Sequence, residues 1–524
     1  MDWIWSCSIS GLSLMLSGPL LIIILFLYHA RRKQAEARDS GKLRPPGPPG
    51  WPVVGNIFDL GELPHQTLCK LRDKFGPVIW LQLGSIGTVA VNSADAAAKL
   101  FKSHDQAFSD RKCPDALTAH GYNHGSMAIG NYGSYWRVVK RIGVTEFNTA
   151  KRVNESVHVR RKCVDNMILW IEEAAMESYS NGRKGEIEIV HFLFLMAFNV
   201  VGNMIFSEDI LESKNIKGKE FFDSMSKFMV WTGKPNLSDY FPLLKRLDLL
   251  GIKKGIGKDM GICLKIVENF VKDRVVREEK FKTKDDYSRR KDFLDVLLEF
   301  QGDNKEEFGR VSKENLNILI TEMFFAGSET TSNSIEWLMS ELLNHPNCMM
   351  KLKDELDRIV GRGRKIEESD IDELSYLQAC VKEALRLHPP LPMLLPRNSM
   401  EDTNYIGYFI PKDTQVLVNA YAIGRDPEVW EDPLDFKPER FLDKNIELVG
   451  QHFGLIPFGA GRRICMGYAL GQRVLHLATA NLIHTFDWEI GDSTAPGMID
   501  MNEKMGITIR KLIPLKIIPK KRDL

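Results

Sequence analysis

The chain has 524 residues, 44% hydrophobic and 27% charged, with a formal net charge of +1. That composition is globular rather than disordered, and the balanced charge gives no case for nucleic-acid binding by bulk electrostatics. Its eight cysteines are scattered without a C-x-x-C pair, which excludes a disulfide scaffold and suits a reducing, cytosol-facing compartment.

From Trp3 to Ala30 there is no Asp, Glu, Lys or Arg. About 20 apolar residues span a bilayer as a helix, so residues 1–30 are expected to form a transmembrane anchor, kinked at Ser17-Gly18-Pro19. Arg31, Arg32, Lys33, Arg38, Lys42 and Arg44 follow, against Asp2 alone in front. The positive-inside rule then puts the rest of the chain in the cytosol. The rival is a cleaved signal peptide, which wants a basic start and a shorter apolar core. Residues 31–52 are basic and then proline-rich (Pro45 to Pro52), and read as a semi-rigid hinge.

The length suggests roughly three domains, but one catalytic domain over 53–524 is expected, mainly α with a small β region (α+β). Residues 77–92 are β-rich around Gly84 and predict a hairpin. Helical patterns dominate from about 95 to 385, where residues 278–292 read as a charged, solvated loop. Eight basic side chains stand within 137–162 (Arg137, Lys140, Arg141, Lys151, Arg152, Arg160, Arg161 and Lys162) against Glu146 and Glu155. They form either a docking face for an acidic partner or an ordinary solvated face.

Leu316, Leu319, Ile320 and Met323 recur at helical spacing and predict a long buried helix. It runs into Ala326-Gly327-Ser328-Glu329-Thr330-Thr331, whose Gly, Ser and two Thr are poor helix formers and whose threonine hydroxyls often bond back to i−4 carbonyls. A local gap there, with hydroxyl and carboxylate side by side, could hold O₂ and relay protons. The same residues also describe a weakened helix with a solvated Glu. Further on, Glu383 and Arg386 share a helix face and can pair. Strands are expected after 390, one of them around 404–411.

The stretch from Phe458 to Gly467 (Phe-Gly-Ala-Gly-Arg-Arg-Ile-Cys-Met-Gly) puts Cys465 two residues after Arg463 in a glycine-rich loop. A helix is expected to follow at once, and its N-terminal dipole favours a thiolate. This loop resembles the haem-binding signature F-x-x-G-x-R-x-C-x-G of the cytochrome P-450 monooxygenases at every fixed position. The other motifs follow that family's order, and the hinge and surrounding phrases most resemble plant microsomal members.

The resemblance implies a cytochrome P-450 fold and haem b, with Cys465 as axial iron ligand in a pocket that includes Phe458, Arg463 and Gly467. It implies that Trp136, Arg397 and Arg463 contact haem propionates. Lys140 stands where the family usually has Arg, and can supply a cation but not a bidentate fork. Thr330 would stabilise bound oxygen and Glu329 would pass protons. Arg440, in Pro438-Glu439-Arg440-Phe441, would join Glu383 and Arg386 in a buried structural network.

The implied reaction inserts one atom of O₂ into a hydrophobic small molecule. Electrons come from NADPH through the membrane-bound NADPH–cytochrome P-450 reductase, with cytochrome b5 as a further candidate donor. The implied setting is the endoplasmic reticulum membrane. The implied substrate segments are Cys113–Ile129, Phe228–Tyr240, the distal helix, Pro389–Leu394 and the turn Met505-Gly506-Ile507. Phrases such as Phe198 to Ser207 resemble the plant group that hydroxylates monoterpenoids such as geraniol and iridoids. Alkaloids, diterpenoids and phenylpropanoids are the alternatives. Two rival functions stand beside this one: a reductase-independent haem-thiolate isomerase or dehydratase, and a non-catalytic haem-binding membrane protein.

Overall fold

A computed structural model describes residues 43–182, 184–211, 216–280, 291–302, 309–450, 452–491 and 499–522. The expected anchor (1–30), most of the hinge and most of the expected charged loop lie outside the described residues.

The chain is mainly helical with small sheets, as expected. Strand β1 (Val78–Leu83) pairs antiparallel with β2 (Ile86–Val91). The turn between them needs Gly84, whose φ is 57° and whose missing Cβ would sit 2.6 Å from the Tyr240 carbonyl oxygen. β3 (Arg397–Asn398) and β4 (Gln415–Val418) complete the sheet in the order β1-β2-β4-β3, with β4 parallel to β2. A separate hairpin joins Thr403–Tyr405 to Tyr408–Ile410.

The main helices are α1 (Ser134–Asn148), α2 (Val157–Ser180), α3 (Ile189–Phe206), α4 (Ile216–Thr232), α5 (Lys313–Asn344), α6 (Ser375–Leu387) and α7 (Tyr468–Thr485), and all but α2 supply residues to the site. Among the described residues α3 alone is long and apolar enough to cross a bilayer, yet 89% of it is buried inside the fold. A helix that is apolar all round is explained by packing on every side. Its main neighbour is α5, where Phe198 stacks on Phe324 with ring centres 4.4 Å apart.

Helix α5 starts at Ser312, whose side chain accepts from the Asn315 N–H, and runs unbroken for 32 residues. Its poor helix formers have a packing reason. A Cβ on Gly327 would lie 2.6 Å from the Val201 side chain, so glycine lets α3 and α5 close together. The hydroxyls of Ser328, Thr330, Thr331 and Ser334 each bond the carbonyl four residues back.

Candidate functional site

The loop before α7 folds tightly because its glycines permit it. Gly459 and Gly461 both have φ of 69°, and a Cβ on Gly461 would meet the Asp105 carboxylate at 2.3 Å. The Cys465 N–H donates to the Phe458 carbonyl (2.9 Å), closing the loop. α7 begins three residues later, and its Ala469 N–H is capped by Asn148 at 2.8 Å. Cys465 has accessible surface, but that surface faces an internal cavity of about 370 Å³. Surrounding protein desolvates the thiol and pushes its pKa up, while a Gly467 hydrogen bond and the Lys140 charge pull it down.

Three expected cations converge on this cavity. Helix α1 supplies Lys140, whose ammonium donates to the Ile464 carbonyl. Arg463 lies 4.1 Å over the Trp136 ring and donates to Ser109, Met127 and Gly130 carbonyls at 2.8, 3.2 and 2.8 Å. Trp136 donates to the Met127 carbonyl at 2.9 Å. Arg397, on β3, bonds Asp105 at 3.1 Å and the Ala460 carbonyl at 2.9 Å.

A fourth cation went unread in the sequence. Arg111, 7% exposed, lines the cavity and donates to Leu395, Pro396 and Ala128 carbonyls. Its only signal was a lone arginine in a segment of mixed composition. Burial lowers all four pKa values, Lys140 to about 8 and Arg463 to about 10. Among the described residues, Asp105 is the one carboxylate that accepts from any of the four, and it accepts from Arg397 alone. A desolvated cation set with so little counter-charge suits an anionic guest.

Most of the remaining lining is apolar, with Val201, Phe228, Phe325, Leu394 and Ile507 among its residues. Ala326, Gly327 and Thr330 line the cavity from α5, and Phe458 and Gly467 from the loop. At Gly467 an added Cβ would meet nothing within 4 Å, so the backbone faces open space. One thiol, an apolar slot and cations at its edge fit a planar apolar macrocycle that carries a metal and carboxylates. Haem has that chemistry.

Other expected residues sit elsewhere. Glu329 does not line the cavity and is not beside the Thr330 hydroxyl. Adjacent residues point about 100° apart on a helix. Glu329 is 4% exposed, and its Oε1 accepts from Thr508 Oγ1 and Arg510 Nε, both at 2.5 Å. Glu383, Arg386 and Arg440 come together in the core: Glu383 accepts from Arg386 Nε at 2.7 Å and Arg440 Nε at 3.0 Å.

The expected basic face needs correction. Arg160 is fully buried, paired with Glu368 at 2.7 Å and donating to Ser156 and the Val153 carbonyl. Lys140 is in the cavity, and Arg152 and Lys162 pair with Glu146 and Asp209. Reversing the charge at Arg160 therefore tests packing, not docking.

Residues 45–517 match the family profile described as Cytochrome P450. The chain is 53% identical to the iridoid oxidase of Catharanthus roseus over 506 residues, 97% of this chain and 96% of that one. It is 40% identical to the 7-ethoxycoumarin O-deethylase of Helianthus tuberosus, covering 91% and 94% of the two chains. It is 38% identical to the geraniol 8-hydroxylase of Catharanthus roseus, covering 95% and 99%. A solved structure of a zebra fish cytochrome P450 with abiraterone superposes with a TM-score of 0.72 at 23% identity, covering 88% of this chain and all of that one. Sequence and fold agree along nearly the whole length, and the chain belongs to the cytochrome P450 family: a haem-dependent monooxygenase that receives NADPH-derived electrons from a reductase and oxidises a small molecule with O₂.

Proposed function

We propose that this monooxygenase oxidises a monoterpenoid of the geraniol or iridoid type, with Cys465 as the thiolate that would hold haem b. The observation that carries this reading is the cavity itself, lined by a single thiol, four basic side chains and many apolar ones. Similarity to an iridoid oxidase and a geraniol 8-hydroxylase supports the substrate class. So does the lining, which suits a compact hydrophobic molecule.

Haem held by a thiolate supplies O₂ binding and O–O cleavage. The chain's own residues do the rest. Lys140, Arg397, Arg463 and Arg111 balance the cofactor's carboxylates, and Trp136 walls them. The Gly467 N–H and the α7 dipole stabilise the sulfur anion. Thr330 presents its hydroxyl to the cavity, held by a 2.6 Å bond to the Ala326 carbonyl. Glu329 accepts from Thr508, a cavity-lining residue, and pairs with Arg510, whose side chain is partly exposed. Arg510 stays protonated and holds the carboxylate, while Glu329 and the Thr508 hydroxyl would pass a proton toward the site.

Residues 1–30 act in this reading as a single-pass anchor in the endoplasmic reticulum membrane, 31–52 as the hinge and 53–524 as the cytosolic catalytic domain. The described surface supports a membrane seat. Trp51, Phe58, Leu243 and Leu247 are exposed, and their segments are joined through the 84–85 turn by Gly84 N–H to Val54 (3.1 Å) and Ser85 N–H to Tyr240 (2.8 Å). Lys245 and Arg246 add positive charge beside this apolar patch, a combination suited to a lipid surface. The reductase, with cytochrome b5 as a second donor, meets the protein at that membrane.

The test is turnover in membranes containing this protein and the reductase. Geraniol or an iridoid should give an oxygenated product that requires NADPH and O₂. Turnover of a hydroperoxide alone, with no NADPH-dependent product, would replace this reading with an isomerase. In the same assay Thr330→Ala should keep consuming NADPH while product falls on the order of a hundredfold, the lower end of what a positioned proton donor contributes. Full coupling in that variant removes the role given to Thr330.

A further inference from the structure

Glu322 is the one acidic side chain among the described residues lining the cavity, and it is 3% exposed. It stands on α5 one turn before Ala326, amid apolar neighbours. A carboxylate in such a place must be held by donors. Every donor comes from one short strap, Tyr122 to Ala128. The Met127 N–H donates at 2.7 Å, the Ala128 N–H at 3.2 Å, Tyr122 Oη at 3.1 Å, and Ser126 Oγ completes the set.

The carbonyls of the same strap face the cofactor edge, and the Met127–Ala128 peptide is held on both sides. The Met127 carbonyl accepts from both Trp136 (2.9 Å) and Arg463 (3.2 Å). The Ala128 carbonyl accepts from Arg111 at 3.1 Å. The strap is therefore gripped on its N–H side by one anion and on its carbonyl side by three donors. Hydrogen bonds in such chains polarise one another. Tyr122, Met127, Ala128 and Ile129 also line the cavity, so the strap is a wall of the substrate space.

We propose that Glu322 is a specificity-determining and positioning residue: it fixes this wall against α5 and, through the Met127 and Ala128 peptides, aims Trp136, Arg463 and Arg111. The inference rests on the cavity being the haem and substrate site. It predicts that substrate affinity and haem retention are tied to one carboxylate that touches neither reacting atoms nor iron.

The experiment compares Glu322→Ala, Glu322→Gln and Thr321→Val in the purified full chain. Thr321 is the adjacent buried residue, bonded only to the Asn317 carbonyl of its own helix. Two quantities are read: the apparent Kd for geraniol from the spin-state shift, and the rate of haem transfer to apomyoglobin. Losing a charged acceptor leaves two buried N–H groups unpaired, so Glu322→Ala should raise Kd at least about tenfold and speed haem loss about tenfold. Glu322→Gln keeps an acceptor oxygen and should recover most of both. Thr321→Val should change neither.

If Glu322→Ala matches Thr321→Val in both readouts, the proposal fails. If Kd alone moves, the link to the cofactor edge fails. Should Glu322→Ala not accumulate, Ser126→Ala, which removes one of the donors to Glu322, carries the comparison with Thr321→Val, and wild-type haem retention in it overturns the proposal. If the wild type holds haem but does not respond to geraniol, the substrate reading has failed instead, and haem transfer decides the proposal alone.

Discussion

Cys465→Ala should lose the long-wavelength Soret band of the reduced carbon-monoxide complex and, with it, NADPH-dependent product formation. If Cys465 holds the iron as proposed, its removal takes away both the anchor and the charge that the sulfur would donate. Residues that merely support a metal ligand cost ten- to a hundredfold when changed. Removal of the ligand itself should exceed that, with product falling on the order of a thousandfold or more. Cys465→Ser keeps the shape of the loop and offers a harder oxygen. It should retain part of the haem but shift the carbon-monoxide band to shorter wavelength.

The other described cysteines make the comparison sharp. Burial pushes the Cys113 and Cys163 thiols up to about 12, and raises Cys69, Cys263, Cys348 and Cys380 as well. Burial raises Cys465 too, so the difference lies in position: none of the others lines the cavity. Cys113→Ser should therefore leave the spectrum unchanged. A wild-type carbon-monoxide spectrum from Cys465→Ala protein would place the iron elsewhere and undo the site as drawn.

Period and spacing carried much of this molecule in plain view. The β1–β2 hairpin was legible because β-rich runs flank a glycine that the turn requires. Helix α5 was legible from its 3.6-residue period. Direction was harder to read than position. Glu329 and Thr330 are neighbours in the chain, yet the helix turns them to different sides, and the C-terminal strand residue Arg510 claims the carboxylate. Arg160 looked like one more charge in a basic run. Its burial depends on Glu368, more than two hundred residues away. Glu322 gave one faint signal, a single acid inside an apolar helical stretch. Its partners come from a strap without regular pattern, so only the fold brings them together.

Glu383→Ala should be the most damaging change far from the cavity. Glu383 and Arg386 are fully buried, and the Arg440 side chain is 8% exposed. Glu383 also accepts from the Lys437 N–H at 2.8 Å. Arg386 and Arg440 spend their remaining donors on carbonyls of 424–435, including Gly424, Pro433 and Glu431. Both guanidiniums lie over the Trp430 ring, at 5.4 and 5.9 Å, and Trp430 donates to the Gly454 carbonyl at 3.3 Å, just ahead of the cysteine loop. Deleting the carboxylate leaves two buried cations without their counter-charge, which costs about 3–5 kcal/mol. Native stability is only about 5–15 kcal/mol in total, so little folded, haem-loaded protein should accumulate. Glu383→Gln keeps the shape and one acceptor but not the charge, and should fall between. The readouts are the yield of haem-loaded protein and the thermal midpoint. A Glu383→Ala protein with wild-type yield and midpoint would mean that the segment before the cysteine loop holds its shape without this triad.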